Sequence, residues 1–196
     1  MKPVIIINFK KAKNVLELAK ACERTAKQAK IIIAVLPKDV SIASKVKIPV
    51  YLQYINSKTK LKGAKGALLN HSDNPISNSF IASMIKLAHK NKIKTIACCT
   101  TTKRAKEIEK FNPDFIAVEP KELIGGKLSV STAKPSLISD TVKAVKVPVL
   151  CGAGIHSKED VKKALKLGAK GVLVSSAVAK AKNPEKALKE LVKGLK

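Results

Sequence analysis

Aromatic side chains are scarce: tryptophan is absent, and phenylalanine and tyrosine together make up 3% of the residues. That leaves little on which nucleic-acid bases could stack. Acidic residues are also few, 14 against 39 lysines and arginines, for a net charge of +25. Such an excess rewards phosphate contacts, yet the lysines are spread over the polar faces of nearly every expected helix, with no basic tail or block. Arginine, the better base reader, occurs only at Arg24 and Arg104. The pattern argues against specific nucleic-acid binding and for a solvated shell that aids solubility and draws in an anionic substrate. Long apolar runs are missing too; the longest, Ile31 to Leu36, falls far short of the roughly 20 residues of a membrane span. The N-terminus lacks the three-part build of a signal peptide, so a soluble, cytoplasmic protein with no membrane partner is expected. Cys22, Cys98, Cys99 and Cys151 form no C-x-x-C pair, and three of them sit in or at the ends of apolar runs, as reduced core residues do. His71, His89 and His156 lie far apart with no H-x-x-x-H pair, so a metal site has little support.

What is present is alternation. With 196 residues, 45% of them apolar, the chain can bury one substantial core and is expected to be a single domain, residues 1–196. Strand-sized runs at 4–9, 31–36, 48–55, 64–70, 93–99, 115–119, 147–151 and 171–175 are mostly rich in Ile and Val and apolar on both faces, as strands covered on both sides must be. Helical spacing fills 15–30, 39–46, 76–91, 102–111, 134–145, 157–167 and 184–195, with start signals at Ser157 and at Asn183-Pro184. An α/β fold of right-handed βαβ units follows, eight strands pointing to a closed parallel barrel and a doubly wound open sheet standing second. Between Ile55 and Ala64 the chain is too short for a loop and an ordinary crossover helix. The barrel is therefore expected to lack the helix after its third strand, with Tyr51 and Gln53 needing cover from neighbouring helices or a new contact.

The candidates for chemistry fall at strand ends. In Ala117-Val118-Glu119-Pro120-Lys121-Glu122-Leu123-Ile124-Gly125-Gly126 a carboxylate closes an apolar strand, Pro120 ends the pairing and a glycine pair hinges the loop. In a parallel barrel the C-terminal strand ends converge on one face, so Glu119 there looks like a base under a lid. Taken alone it is more readily an ordinary strand-end glutamate, because Glu-Pro often opens a turn; the other strand-end residues overturn that. Asn8 and Lys10 flank Phe9 where the first strand stops, and on a period-two strand both point the same way. A lysine so placed can stabilise an oxyanion and hold a phosphate, although it is one lysine among many. Asn70-His71-Ser72-Asp73 closes the fourth strand directly before a helix, whose N-terminus would keep the His71 imidazole neutral while it donates to a substrate oxygen. A loop histidine satisfied by backbone fits that stretch equally well. The runs CGAGI (151–155) and VSSA (174–177) offer small residues where backbone must approach a ligand, and in barrels the loops after the last two strands grip phosphate this way. Residues 177–180 are long enough for the accompanying extra helical turn.

Taken in order, Asn8-Phe9-Lys10, LLNHSDN (68–74), AVEPKELIGG (117–126), AKPSLI (133–138) and CGAGI through VKKALKLGAKGVLV (161–174) to KNPEKAL (182–188) resemble triosephosphate isomerase in its short archaeal form. The resemblance covers nearly the whole chain and implies an eightfold βα (TIM) barrel that interconverts dihydroxyacetone phosphate and glyceraldehyde 3-phosphate without metal or organic cofactor. By matching motif positions it implies Glu119 as base, His71 as electrophile and Lys10 with Asn8 as oxyanion and substrate anchors. Gly125, Gly154, Ser175 and Ser176 map to the phosphate-contacting loops. Three departures stand out. The lid reads Ile124-Gly125-Gly126-Lys127 where the family has I-G-T-G, Asp73 stands where the family has glutamate, and the shortened third connection removes the loop that builds the family's dimer. That dimer is expected to be absent, leaving a monomer or an altered interface. Another phosphate-binding barrel enzyme, or a weakly active or non-catalytic lysine-rich barrel, are the alternatives.

Overall fold

Runs of Ile and Val without polar alternation need cover on both faces, and a closed parallel barrel inside a helical ring provides it. The computed structural model describes residues 2–126 and 128–196. Its strands are β1 (Val4–Asn8), β2 (Lys30–Val35), β3 (Val50–Leu52), β4 (Gly66–Leu69), β5 (Lys94–Cys99), β6 (Phe115–Val118), β7 (Val149–Gly152) and β8 (Gly171–Val174). They pair in parallel in sequence order, and β1 meets β8 with Val4 opposite Gly171. The open sheet is thereby excluded.

The helices are α1 (Val15–Thr25), α2 (Val40–Ala43), α3 (Asn78–Lys90), α4 (Thr102–Glu109), α5 (Val130–Ala133), α6 (Pro135–Ala144), α7 (Lys158–Lys166), α8 (Ser176–Ala179) and α9 (Pro184–Lys193). Ser157 and Asp160 cap α7 reciprocally, and Asn183 accepts from the Lys186 amide at 2.9 Å to start α9. The helix expected over 39–46 shrinks to a 3₁₀ turn at Pro37–Asp39 and the single turn α2. Likewise α1 stops at Thr25, short of the expected Lys30, because the chain must turn back and Lys30 already belongs to β2.

Period-two alternation divides the strand side chains between two cores. Ile6, Leu68, Ile96, Ala117, Leu150 and Leu173 fill the barrel, while Ile7, Leu52, Leu69, Val118 and Val174 face outward against helix residues such as Ile81, Val161 and Leu188. Tyr51 belongs to the inner set, 3% exposed. A Cβ on Gly66 would come within 2.4 Å of the Tyr51 ring, so the missing side chain on β4 leaves the space that ring occupies. The expectation that Tyr51 needs an outer helix is therefore corrected, since its ring points into the barrel.

Among the described residues no helix lies between β3 and β4. The short connection covers the outer face of β3 itself: Ile55, Ala64 and partly buried Leu61 join Val40 and Ala43 of α2 in the outer core. Gly63, at φ +89°, brings the chain against Ser44, whose hydroxyl donates to the Gly63 carbonyl at 3.3 Å. No helix among the described residues is long and apolar enough to cross a membrane.

Candidate active site

The alternation that fills the barrel also selects what crowns it. Continued upward from Ile6, Tyr51, Ala117, Leu150 and Leu173, the next inward positions are Asn8, Gln53, Glu119, Gly152 and Ser175. Asn8 (1% exposed), Gln53 (4%), His71 (3%) and Glu119 (7%) are polar groups held in an otherwise apolar mouth. Such groups need partners or a task.

His71 follows Asn70, which turns the chain at φ +55° and is pinned on both ends of its amide, donating to Cys98 O at 2.9 Å and accepting from the Ile76 amide at 3.1 Å. The helix expected over 76–91 begins at Asn78, capped by Ser77, seven residues beyond His71. The ring is oriented instead by the Asp73 backbone N–H, which donates to Nδ1 at 3.2 Å. With that lone pair engaged, the ring proton sits on Nε2. Nε2 lies 3.3 Å from Asn8 Nδ2 and 3.8 Å from Glu119 Oε2. The Asn8 amide is itself fixed, because its Oδ1 accepts from the Lys10 backbone N–H at 3.0 Å. Two donors, Asn8 Nδ2–H and His71 Nε2–H, thus converge without satisfying each other. An oxygen between them would accept from both.

Lys10 reaches the site differently from the period-two expectation. Strand β1 ends at Asn8, and Lys10 adopts φ +49° in the turn that follows. Its ammonium still arrives at the mouth, 3.2 Å from Asp73 Oδ2. Glu119 opposes this donor set. Its amide donates to Cys99 O at 2.8 Å, extending β6 by one residue, while its buried Oε2 has no hydrogen-bond partner. Cys98 lies beside it; burial, reinforced by the Glu119 charge, pushes that thiol well above its ordinary range.

A cavity of about 130 Å³ joins these groups, lined by Asn8, Lys10, His71 and Glu119 together with Gly125, Gly154, Ser175 and Ser176. All eight residues singled out in the sequence therefore border one space. The same cavity touches Lys180 and His156, which the sequence did not distinguish from other surface lysines and loop histidines. His156 Nε2 sits 2.7 Å from the Gly126 carbonyl of the lid. At the lid's far end, a Cβ on Gly154 would come within 2.1 Å of Leu128 O, and Val130 N donates to Ala153 O at 3.2 Å. Leu128 and Val130, beyond β6, are thus seated on the loop after β7. A second cavity, of about 340 Å³, lies on the other side of Glu119 against Cys98, Thr100, Arg104 and Lys121, without His71 or Lys10. Among the described residues no cluster of three or more His, Cys, Asp or Glu side chains is arranged to hold a metal ion.

Fold and site together define a βα-barrel enzyme of the kind that moves protons on a small anionic substrate at the C-terminal strand ends. The triosephosphate isomerase family model matches residues 3–194, and the chain belongs to that family. Triosephosphate isomerases of Methanothermus fervidus and Methanocaldococcus jannaschii are each 40% identical to it over 97% of this chain, covering 98% and 99% of their own lengths. Among solved structures, thiamine phosphate pyrophosphorylase from Pyrococcus furiosus superposes with a TM-score of 0.74 at 19% identity, covering 99% of this chain and 95% of its own. The tryptophan synthase α-subunit of the same organism gives 0.74 at 18%, covering 97% and 98%. These two share the fold alone.

Proposed function

We propose that this site interconverts dihydroxyacetone phosphate and glyceraldehyde 3-phosphate, with Glu119 as the base. The reaction needs a base at the carbon next to the carbonyl, donors for the enediolate oxygens and a clamp that keeps the phosphate from leaving. Glu119 Oε2, buried and unpartnered, takes the proton from one carbon and returns it to the neighbouring one. His71 Nε2–H and Asn8 Nδ2–H stabilise the oxygens as charge develops on them. His71 gives its Nε2 proton to the former carbonyl oxygen and takes the hydroxyl proton from the other, so that carbonyl and hydroxyl exchange places, and the Lys10 ammonium adds a full positive charge. Gly125, Gly154, Ser175 and Ser176 enclose the phosphate, where glycine and serine let backbone amides approach an anion closely. Closure of 120–126 over the cavity excludes water and strengthens each of these interactions. In this reading the substrate is a small phosphorylated triose, turned over in the cytoplasm.

One observation carries the reading: a buried carboxylate oxygen without a hydrogen-bond partner faces the His71 ring at 3.8 Å, with the Asn8 amide beside that ring, across the same small cavity. The test is isomerase turnover by a coupled assay on purified protein. Glu119→Gln keeps the shape and removes the base, so turnover should fall by about 100-fold to 10,000-fold with circular dichroism unchanged. A loss of only a few-fold in folded protein would remove Glu119 from this role.

A further inference from the structure

Asp73 is the hub on which two of the proposed groups depend. Its carboxylate accepts from Lys10 Nζ at 3.2 and 3.4 Å, and its backbone N–H orients His71 through Nδ1. An ion pair whose side chains are 30% and 47% exposed contributes little on its own and leaves a flexible ammonium free to wander. Asp73, however, has a second partner. Gln53 Nε2 donates to its Oδ2 at 3.2 Å. Gln53 is anchored in turn, because its own amide donates to Val35 O at 2.7 Å, one step beyond the β2–β3 ladder.

The orientation of this amide is informative. With Nε2 facing Asp73, the Gln53 carbonyl oxygen is buried without a partner. Turning the amide over would set that oxygen against a carboxylate, acceptor against acceptor. A buried acceptor with no donor is a cost that an apolar residue in the same inward position would avoid. The side chain is therefore held for what its N–H does.

We propose that Gln53 is a positioning residue for the isomerisation: through Asp73 it fixes the Lys10 ammonium over the cavity and steadies the turn that orients His71. The proposal deepens the reading of Lys10 and His71 given above. It needs no contact between Gln53 and the substrate. Gln53 is absent from the walls of the catalytic cavity, and its influence passes through one carboxylate.

A double-mutant cycle tests it. Steady-state turnover and phosphoglycolate affinity are measured for the unsubstituted protein, Gln53→Met, Lys10→Met and the pair. Gln53→Met should lower kcat/KM by about tenfold, as loss of one charge-assisted hydrogen bond does, while the melting temperature stays level or rises because the orphan carbonyl is gone. In the Lys10→Met background the same change should cost clearly less in turnover and in phosphoglycolate binding, since one of the two groups it positions is absent and only the turn that orients His71 still depends on it. Equal losses in both backgrounds, or less than a twofold loss in the first, would overturn the proposal. If Lys10→Met alone left turnover and binding intact, the reading of the site itself would fail, which is a different result. Gln53→Glu provides a second variant of nearly the same volume; setting a carboxylate against Asp73, it should lose at least as much activity as Gln53→Met and show the same dependence on Lys10.

Discussion

The Cβ that Gly152 lacks would lie 2.5 Å from Glu119 Cγ and 3.0 Å from its Cδ, so the carboxylate stands at the mouth because its neighbour on β7 has no side chain. Gly152→Ala is expected to push the carboxylate aside, lowering kcat at least about tenfold through misplacement of the reacting group, with KM less affected. The crowding should cost about 1–3 kcal/mol of stability. Steady-state kinetics beside a thermal melt measure both, and an unchanged kcat would show that Glu119 has room to adjust. At this scale Glu119 and Asn8 were legible in the sequence because each sits one period-two step beyond an inward apolar residue. The same logic reaches Gln53 and Gly152, although glutamine and glycine at strand ends look like ordinary turn-makers until the neighbour they touch is known. Lys10 was singled out with faulty geometry, since a left-handed turn rather than strand alternation delivers it. Nothing in the sequence could mark His156, whose role depends on where the lid carbonyl of Gly126 comes to rest.

At the scale of elements, the lid's far hinge and the start of α7 are sewn together. Ser129 and Ser131 lie 3.0 Å apart through their hydroxyls, Ser131 donates to Asp160 O at 3.1 Å, and the Asp160 side chain accepts from the amides of His156 and Ser157 at 3.0 Å each. Burial pushes the Asp160 carboxyl upward, but hydrogen bonds from the Ser129 and Ser157 hydroxyls and from those two amides outweigh it and hold it below the usual range. A carboxyl depressed in the folded state stabilises fully above its unfolded value of roughly 3.9, and that contribution is lost as pH falls through the lower folded value. Asp160→Ala should therefore cost about 1 kcal/mol at neutral pH, as loss of half a capping box does. The gap between the variant and the unsubstituted protein should close below about pH 3.9. Urea titrations at several pH values check this, and a gap that widened with acid would contradict the sign. Long elements were legible because their burial is periodic. The short turn α5 was not, since Val130–Ala133 takes helical form from what it packs against rather than from any pattern of its own, and α2 was read too long.

At the scale of the molecule, the shortened third connection and the charge act in the same direction. The connection closes its own face of the barrel, and outside the lid Ile42 is the one large apolar side chain reaching 37% exposure among the described residues. A net charge of +25 opposes close approach of two copies. Static light scattering should give the mass of a single chain, in low and in moderate salt alike. A dimer built on residues 56–63 would refute the proposal that the family's interface is absent. The cysteines carry a further consequence. All four are free and buried; burial pushes Cys22 and Cys99 up to about 12 and raises Cys98 and Cys151 well above the ordinary thiol range. In the folded protein they are chemically silent, because only an exposed thiolate attacks a labelling reagent. They stand on α1, β5 and β7, so the modification rate of each becomes a local clock for opening of its part of the barrel. If the barrel opens as one unit, mass spectrometry of a labelling time course should find all four reacting in a single phase at the unfolding rate. Early modification of Cys22 alone would time the detachment of α1 from a barrel that is still closed.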